Sequence, residues 1–301
     1  MVEVDDMNRV SGAGPVNSIR HGRGLTTALL WLVLLMLAHT ASAERLSLQG
    51  EFRQGGLVIG QGEDVARVWQ DQVAVRVGED GVFLLGFGRD AQPTVELKVR
   101  YTDGSEEIRT LEVAAREYRI QRIDGLPPRK VTPRSAEDLK RIRDDVAAVK
   151  KARRLDDARE DFRSGFIWPV TGPISGVYGS QRVLNGKPRR PHFGVDIARP
   201  TGTPVVAPAD GVITLAAPDM FFSGGTLIID HGHKLSSSFL HLSRLLVEEG
   251  QVVKQGEVVG EVGATGRVTG AHLDWRMNLR DQRIDPQLLV PPMPAQSQTG
   301  A

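Results

Sequence analysis

From Leu46 to about Ile123 short apolar runs alternate with turn residues, the pattern of strands that bury one face. Val73–Val77, Val82–Leu85 and Val95–Tyr101 read as strands, with Gly55-Gly56, Gly78-Glu79-Asp80-Gly81 and Asp103-Gly104 as turns between them. The spacing predicts a small all-β, sandwich-like domain over residues 44–125. No cluster of catalytic residue types falls within it, so it reads as a spacer or binding module.

The period then changes. Pro127-Pro128 and Pro133 interrupt regular structure, Ser135 offers an N-cap, and Leu139, Ile142, Val146 and Val149 recur at helical spacing. These predict an amphipathic helix from Ser135 to about Glu160, inside a linker over 126–165. Its basic end, Lys150-Lys151 and Arg153-Arg154, is interleaved with Asp144, Asp145, Asp156 and Asp157, which favours a solvated helix face over a grip on an anionic polymer.

Beyond Trp168-Pro169, Gly and Pro punctuate β-prone runs at Val205–Ala207, Gly211–Leu215, Thr226–Ile229 and Glu257–Gly260. A second, antiparallel β domain over 166–290 is expected, followed by a flexible tail at 291–301. The fold class is mainly β. Gly250–Gly260 has the turn grammar of lipoyl- and biotinyl-carrier barrels, but Lys254 lacks the flanking pattern of a modified lysine, so the stretch reads as a structural hairpin.

The 38 basic and 37 acidic side chains nearly cancel, which removes the global field that would draw nucleic acid. Arg20, His21 and Arg23 precede an apolar run from Leu25 to Leu37, and Ala41-Ser42-Ala43 supplies small residues for signal peptidase. Residues 1–43 therefore read as a signal peptide, with the mature chain starting at Glu44. The run is shorter than the roughly 20 residues that cross a bilayer, so no transmembrane span is expected after cleavage. The absence of cysteine excludes disulfides and a lipid-anchoring cysteine. A periplasmic or extracellular protein is the expectation.

Four of the seven histidines lie between Arg190 and His241, and His272 follows, an enrichment that points to a metal site. In His192-Phe193-Gly194-Val195-Asp196 the two ends would be roughly 13 Å apart on an extended strand, too far to share an ion, so the chain must bend near Gly194. In His272-Leu273-Asp274 the outer residues project from one face about 6 to 7 Å apart. Strict alternation in Phe239-Leu240-His241-Leu242 puts His241 on the face opposite Leu240 and Leu242. His231 and His233 flank Gly232 in a turn and read as turn-stabilising residues. The polar loop carrying Tyr178, Arg182 and Asn185 is a candidate groove wall.

Taken together, His192-x-x-x-Asp196, Ile229-Asp230-His231-Gly232, Ser237–Leu242 and His272-Leu273-Asp274 resemble the LytM and lysostaphin-type zinc endopeptidases, also called Duplicated hybrid motif peptidases. The resemblance spans about Trp168 to Leu289. It implies a Zn²⁺ ion held by His192, Asp196 and Asp274, catalytic roles for His241 and His272, and peptidoglycan as substrate. The reaction implied is attack of a zinc-activated water on a peptide carbonyl, with the histidines moving the proton and stabilising the oxyanion. Asp274 departs from the family, which usually has histidine there. Two carboxylates and one imidazole would cancel the charge of the ion, so weaker acidification of its water is expected. The alternative is a non-catalytic, peptidase-like regulator that binds or activates another cell-wall hydrolase. Other cell-wall hydrolases or divisome proteins are then candidate partners.

Overall fold

The computed structural model describes residues 45–123, 135–184 and 186–294. The predicted signal peptide lies outside the described residues, as do Pro127-Pro128, Pro133 and Asn185. The N-terminal strands are β1 (Leu46–Gly50), β2 (Leu57–Gly62), β3 (Val65–Gln70), β4 (Val73–Val75), β5 (Val82–Gly86), β6 (Thr94–Tyr101), β7 (Glu106–Glu112) and β8 (Ile120–Ile123). After the helix α1 (Ala136–Ala152) come β9 (Ile174–Gly176), β10 (Gln181–Leu184), β11 (Lys187–Pro188), β12 (Val195–Ala198), β13 (Pro204–Val206) and β14 (Gly211–Met220). The chain continues through β15 (Gly224–Asp230), β16 (Leu235–Leu242), β17 (Arg244–Leu245), β18 (Val252–Val253), β19 (Val258–Glu261), β20 (His272–Leu279) and β21 (Gln282–Ile284). The mainly β expectation holds.

Two N-terminal sheets, ordered β1-β2-β5 and β4-β3-β6-β7, face each other across one core. Along β5 the continuous run Val82-Phe83-Leu84-Leu85 is buried on both faces. Phe83 and Leu85 enter the core between these two sheets, whereas Val82 and Leu84 point the other way, into the core that holds Trp275 and Leu279. A strand without polar alternation needs apolar cover on each side. At about 2 kcal/mol per buried side chain of this size, β5 couples the N-terminal region to the C-terminal sheet. The described residues from Arg45 onward form one compact unit.

The C-terminal sheet has the order β18-β14-β15-β16-β20-β12-β9, with β21 added beside β20. Among the described strand pairs only β8–β10 is parallel; it ties the end of the N-terminal region to the chain just before His192. Along β20, Leu273, Trp275, Met277 and Leu279 enter the core, so His272, Asp274, Arg276 and Asn278 share the opposite face. That face is the floor of the site.

Three local expectations need correction. α1 stops at Ala152, not near Glu160, with Arg153 as its C-cap. Its docked stripe matches the predicted one only at Val149: Leu139 and Val146 are 42% and 49% exposed, while Ala148, Val149 and Ala152 pack on Leu215, Met220 and Ile228. The stripe is shifted because polar anchors set the helix rotation: Asp145 accepts from the Phe221 N–H at 2.7 Å, and Arg141 donates to the Asp219 carbonyl at 2.8 Å. Gly250–Gly260 is not a hairpin. β18 pairs with β14 and β19 with β13 and β17, so the turn at Lys254–Glu257 is a corner between sheets, braced by a 2.7 Å Lys254–Asp210 ion pair.

Candidate metal centre

Three strands and one bend assemble the site. Asp196 on β12 lies directly opposite Asp274 on β20, which puts both carboxylates on the floor. His192 precedes β12, and its backbone is clamped by the Gly179 and Ser180 turn, with the His192 N–H donating to the Ser180 carbonyl and the Gly179 N–H to the His192 carbonyl, each at 2.8 Å. Gly194 permits the bend by close approach: a Cβ there would stand 2.5 Å from the Trp275 carbonyl oxygen and 2.6 Å from Asp274 Oδ1. Ligand atoms of His192, Asp196 and Asp274 thereby come within 4.8 Å of one another.

The donor set fits a cation. His192 Nε2 and Asp196 Oδ1 lie 3.2 Å apart. Both atoms are shut off from solvent and lack a hydrogen-bond partner among the described residues. Buried polar atoms of this kind are costly unless a ligand satisfies them. One imidazole and two carboxylates suit zinc.

Asp274 is partnered by a residue that the sequence reading missed. Arg276 Nε lies 2.9 and 3.1 Å from the two Asp274 oxygens, and its Nη2 donates to Oδ2 at 2.5 Å. Burial would raise the Asp274 carboxyl, but the Arg276 charge and hydrogen bonds override it and hold it below the ordinary carboxylate range. Arg276 thus adds one positive charge that the expected cancellation between two carboxylates and a divalent ion did not count. Period two was the available signal, since Asp274 and Arg276 are two apart on one strand and share a face.

His241 reaches this floor through a β-bulge. Leu240 pairs with Asp274, so strict alternation would turn His241 into the core. Instead the register against β15 shifts between Gly225 and Leu227, and His241 takes φ +68°, a conformation that costs on the order of 1–2 kcal/mol for a non-glycine residue. The strained backbone is held by the His241 N–H to the Ser223 carbonyl at 2.8 Å. The alternation expected for His241 thus fails, and its ring lies 5.0 Å from that of His272.

Each of these rings points Nδ1 at a carbonyl, His241 to Thr265 and His272 to Gly270, both at 2.9 Å. A carbonyl only accepts, so Nδ1 carries the proton and Nε2 keeps its lone pair. Burial lowers the His241 pKa, which keeps that ring neutral. His272 Nε2 stands 3.8 Å from Asp196 Oδ1. The structure thus brings together all five residues anticipated from the sequence: His192, Asp196, His241, His272 and Asp274.

Other expected residues fall elsewhere. Tyr178 is buried, not a groove wall, and its hydroxyl donates to the Arg283 carbonyl at 2.6 Å. Arg182 is exposed on β10. His231 is buried between the Asp210 carbonyl at 2.7 Å and Ser237 Oγ at 2.8 Å, and burial pushes its pKa down to about 4. His233 packs edge-on against Phe162.

Residues 190–286 match the model of Peptidase family M23. A crystal structure from Pseudomonas aeruginosa assigned to peptidase M23 is 32% identical and superposes with a TM-score of 0.62, covering 79% of this chain and 94% of that one. The chain is also similar to the peptidoglycan DD-endopeptidase ShyB of Vibrio cholerae, 34% identical over 131 residues, which is 44% of this chain and 28% of ShyB. ShyC of the same organism is 39% identical over 140 residues, again 28% of its length. The aligned region thus spans little more than a quarter of these curated relatives.

Proposed function

This chain belongs to peptidase family M23, and from that premise we propose that it is a zinc-dependent endopeptidase that hydrolyses peptide bonds in the stems or cross-links of bacterial peptidoglycan. The observation that carries the reading is the pair of buried, unpartnered ligand atoms, His192 Nε2 and Asp196 Oδ1, facing Asp274 with two Nδ1-protonated histidines alongside. Such work places the protein in the periplasm or outside the cell. Among the described residues no helix is long and apolar enough to cross a membrane.

In this reading His192, Asp196 and Asp274 hold the ion. Zinc, when bound, supplies a water of lowered pKa and polarises the scissile carbonyl. The protein's own residues do the rest. Neutral His241 accepts a proton at Nε2 and returns it to the leaving amine, while its Nδ1–H stays fixed on Thr265. His272, pinned through Nδ1, faces the same space and helps to orient the attacking water and the peptide. Arg276 holds the Asp274 carboxylate in orientation, as partners behind metal ligands do.

One observation favours a second reading, the non-catalytic regulator of another wall hydrolase: both Asp274 oxygens already accept from Arg276. Metal analysis together with digestion of purified peptidoglycan separates the two. The enzyme is expected to hold one equivalent of zinc, to release muropeptide fragments, and to lose that activity on chelation and regain it with zinc. Absence of both zinc and cleavage in folded protein would leave the regulator.

A further inference from the structure

The basic end of α1 does not face water as a whole. Lys150, Lys151 and Arg154 are exposed, but Arg153, the C-cap, turns onto the sheet face because Ala152 seats the last helical turn against Leu215, Met220 and Ile228. Arg153 Nη2 donates to Ser238 Oγ at 2.9 Å. Its Nε is closed off from solvent and has no hydrogen-bond partner among the described residues.

Three more guanidinium groups converge there. Ser238 lies opposite Arg276 across the β16–β20 pair. Arg283 donates to Asn278 Oδ1 at 2.9 Å, on the same strand face as Asp274 and Arg276. Arg190 and Arg283 lie over the ring of Phe193, 5.5 and 5.8 Å from its centre, and Phe193 adjoins His192. Burial, and then the charges of Arg283, Arg276 and Arg190, push the Arg153 pKa down to about 9. Burial, and then Arg190 and Arg276, push Arg283 down to about 10.

The acidic groups facing this cluster are few. Asp274 is engaged by Arg276, Asp196 acts on Arg276 from the same floor, and Asp281, which acts on Arg283, is exposed on the turn before β21. Buried positive charge without a partner is unfavourable, and the imbalance is relieved when a ligand brings the anion. The planar donor fork of arginine matches a carboxylate. The nearby reacting centre, in the reading above, handles a peptide.

We infer that Arg153, Arg190 and Arg283 form a binding site for a free carboxylate of the peptide substrate, placed beside the metal centre so that acidic stems are chosen over their amidated counterparts. The inference rests on the endopeptidase reading for the identity of the ligand, and its test is separable from that reading. The carboxylate comes either from the C-terminus of a stem or from an acidic side chain within it.

Three synthetic stem-peptide dimers distinguish these sources: one with all carboxylates free, one amidated only at the C-termini, and one amidated only at the side chains. Binding is measured by titration calorimetry with the full-length, zinc-loaded His241→Ala variant, which holds the peptide without turnover. One of the amides should bind about tenfold or more weakly than the free acid, as for loss of a charge-assisted contact, and it identifies the source. Adding Arg153→Met should abolish the discrimination. If Arg153→Met does not fold, Arg190→Gln at an exposed position should reduce it instead. Equal affinity for the three dimers, or discrimination that survives the folded arginine variant, overturns the inference. Discrimination in binding without cleavage by the wild type would sink the endopeptidase reading alone. Cleavage regardless of amidation would sink the carboxylate site alone.

Discussion

Replacing Arg276 with methionine removes the charge from the Asp274 partner while keeping an unbranched stem over the same floor. In the metal-free protein this strands a buried carboxylate, since Asp274 is only 3% exposed and Arg276 is its ion-pair partner. Breaking a buried pair from one side costs about 3–5 kcal/mol, so the metal-free variant should melt well below the wild type. Zinc reverses the sign. The site then carries one more net negative charge, and a unit charge about 6 Å from a divalent ion at an effective dielectric near 20 is worth about 5 kcal/mol. Zinc should therefore bind Arg276→Met more tightly, by a factor of up to about ten thousand. The water at the ion should be less acidic for the same reason, which moves the rising limb of cleavage to higher pH. Competition against a chromophoric chelator gives the affinity, scanning calorimetry with and without zinc gives the two melting temperatures, and a pH series of peptidoglycan release gives the limb. Equal zinc affinity together with an unchanged metal-free melting temperature would refute the electrostatic role of Arg276.

His192→Ala or Asp196→Ala should lose zinc by elemental analysis, whereas His241→Ala should keep zinc and lose peptidoglycan cleavage; loss of zinc from His241→Ala would mean that the roles are exchanged. Asp274→His alone should be destabilised by about 3–5 kcal/mol, because it leaves Arg276 unpaired, and Asp274→His with Arg276→Gln should recover most of that in thermal unfolding. Gly194→Ala should lower both melting temperature and zinc content, since its Cβ would stand 2.5 Å from the backbone oxygen of Trp275 and the floor would have to move. For His231, a base whose folded pKa of about 4 lies below the ordinary value of 6.5, the unfolded chain binds more protons between those values. Its contribution is fully present above about pH 6.5 and is lost as pH falls towards 4, reaching about 3 kcal/mol there. His231→Gln should flatten that part of the fall in stability followed by denaturant titration at each pH.

The strands were legible because period-two alternation and Gly/Pro punctuation are local properties. Val95–Tyr101 and Val82–Leu85 reappear as β6 and β5 almost residue for residue. The five site residues were legible for another reason: motif spacing survives in the linear text, even though Asp196 and Asp274 become neighbours only when β12 pairs with β20. The sequence by itself thus determined a mainly β chain with a residue set of the kind that can hold a metal. Tertiary structure decided the rest. The two-sided burial of β5 needed a second sheet to exist before Val82 and Leu84 had anything to face. The rotation of α1 was set by contacts of Arg141 with the end of β14 and of Asp145 with the β14–β15 turn, far away in sequence, which overrode most of the helix's own apolar stripe. His241 reached the floor through a bulge in a ladder with β15, and alternation within β16 alone points it the other way. The charge of the centre depended on where the Arg276 guanidinium folds back, and that of the neighbouring face on Arg153 arriving from the connector helix. Electrostatic energy depends on distance in space, and spatial distance between residues from different elements exists only after the sheet has formed.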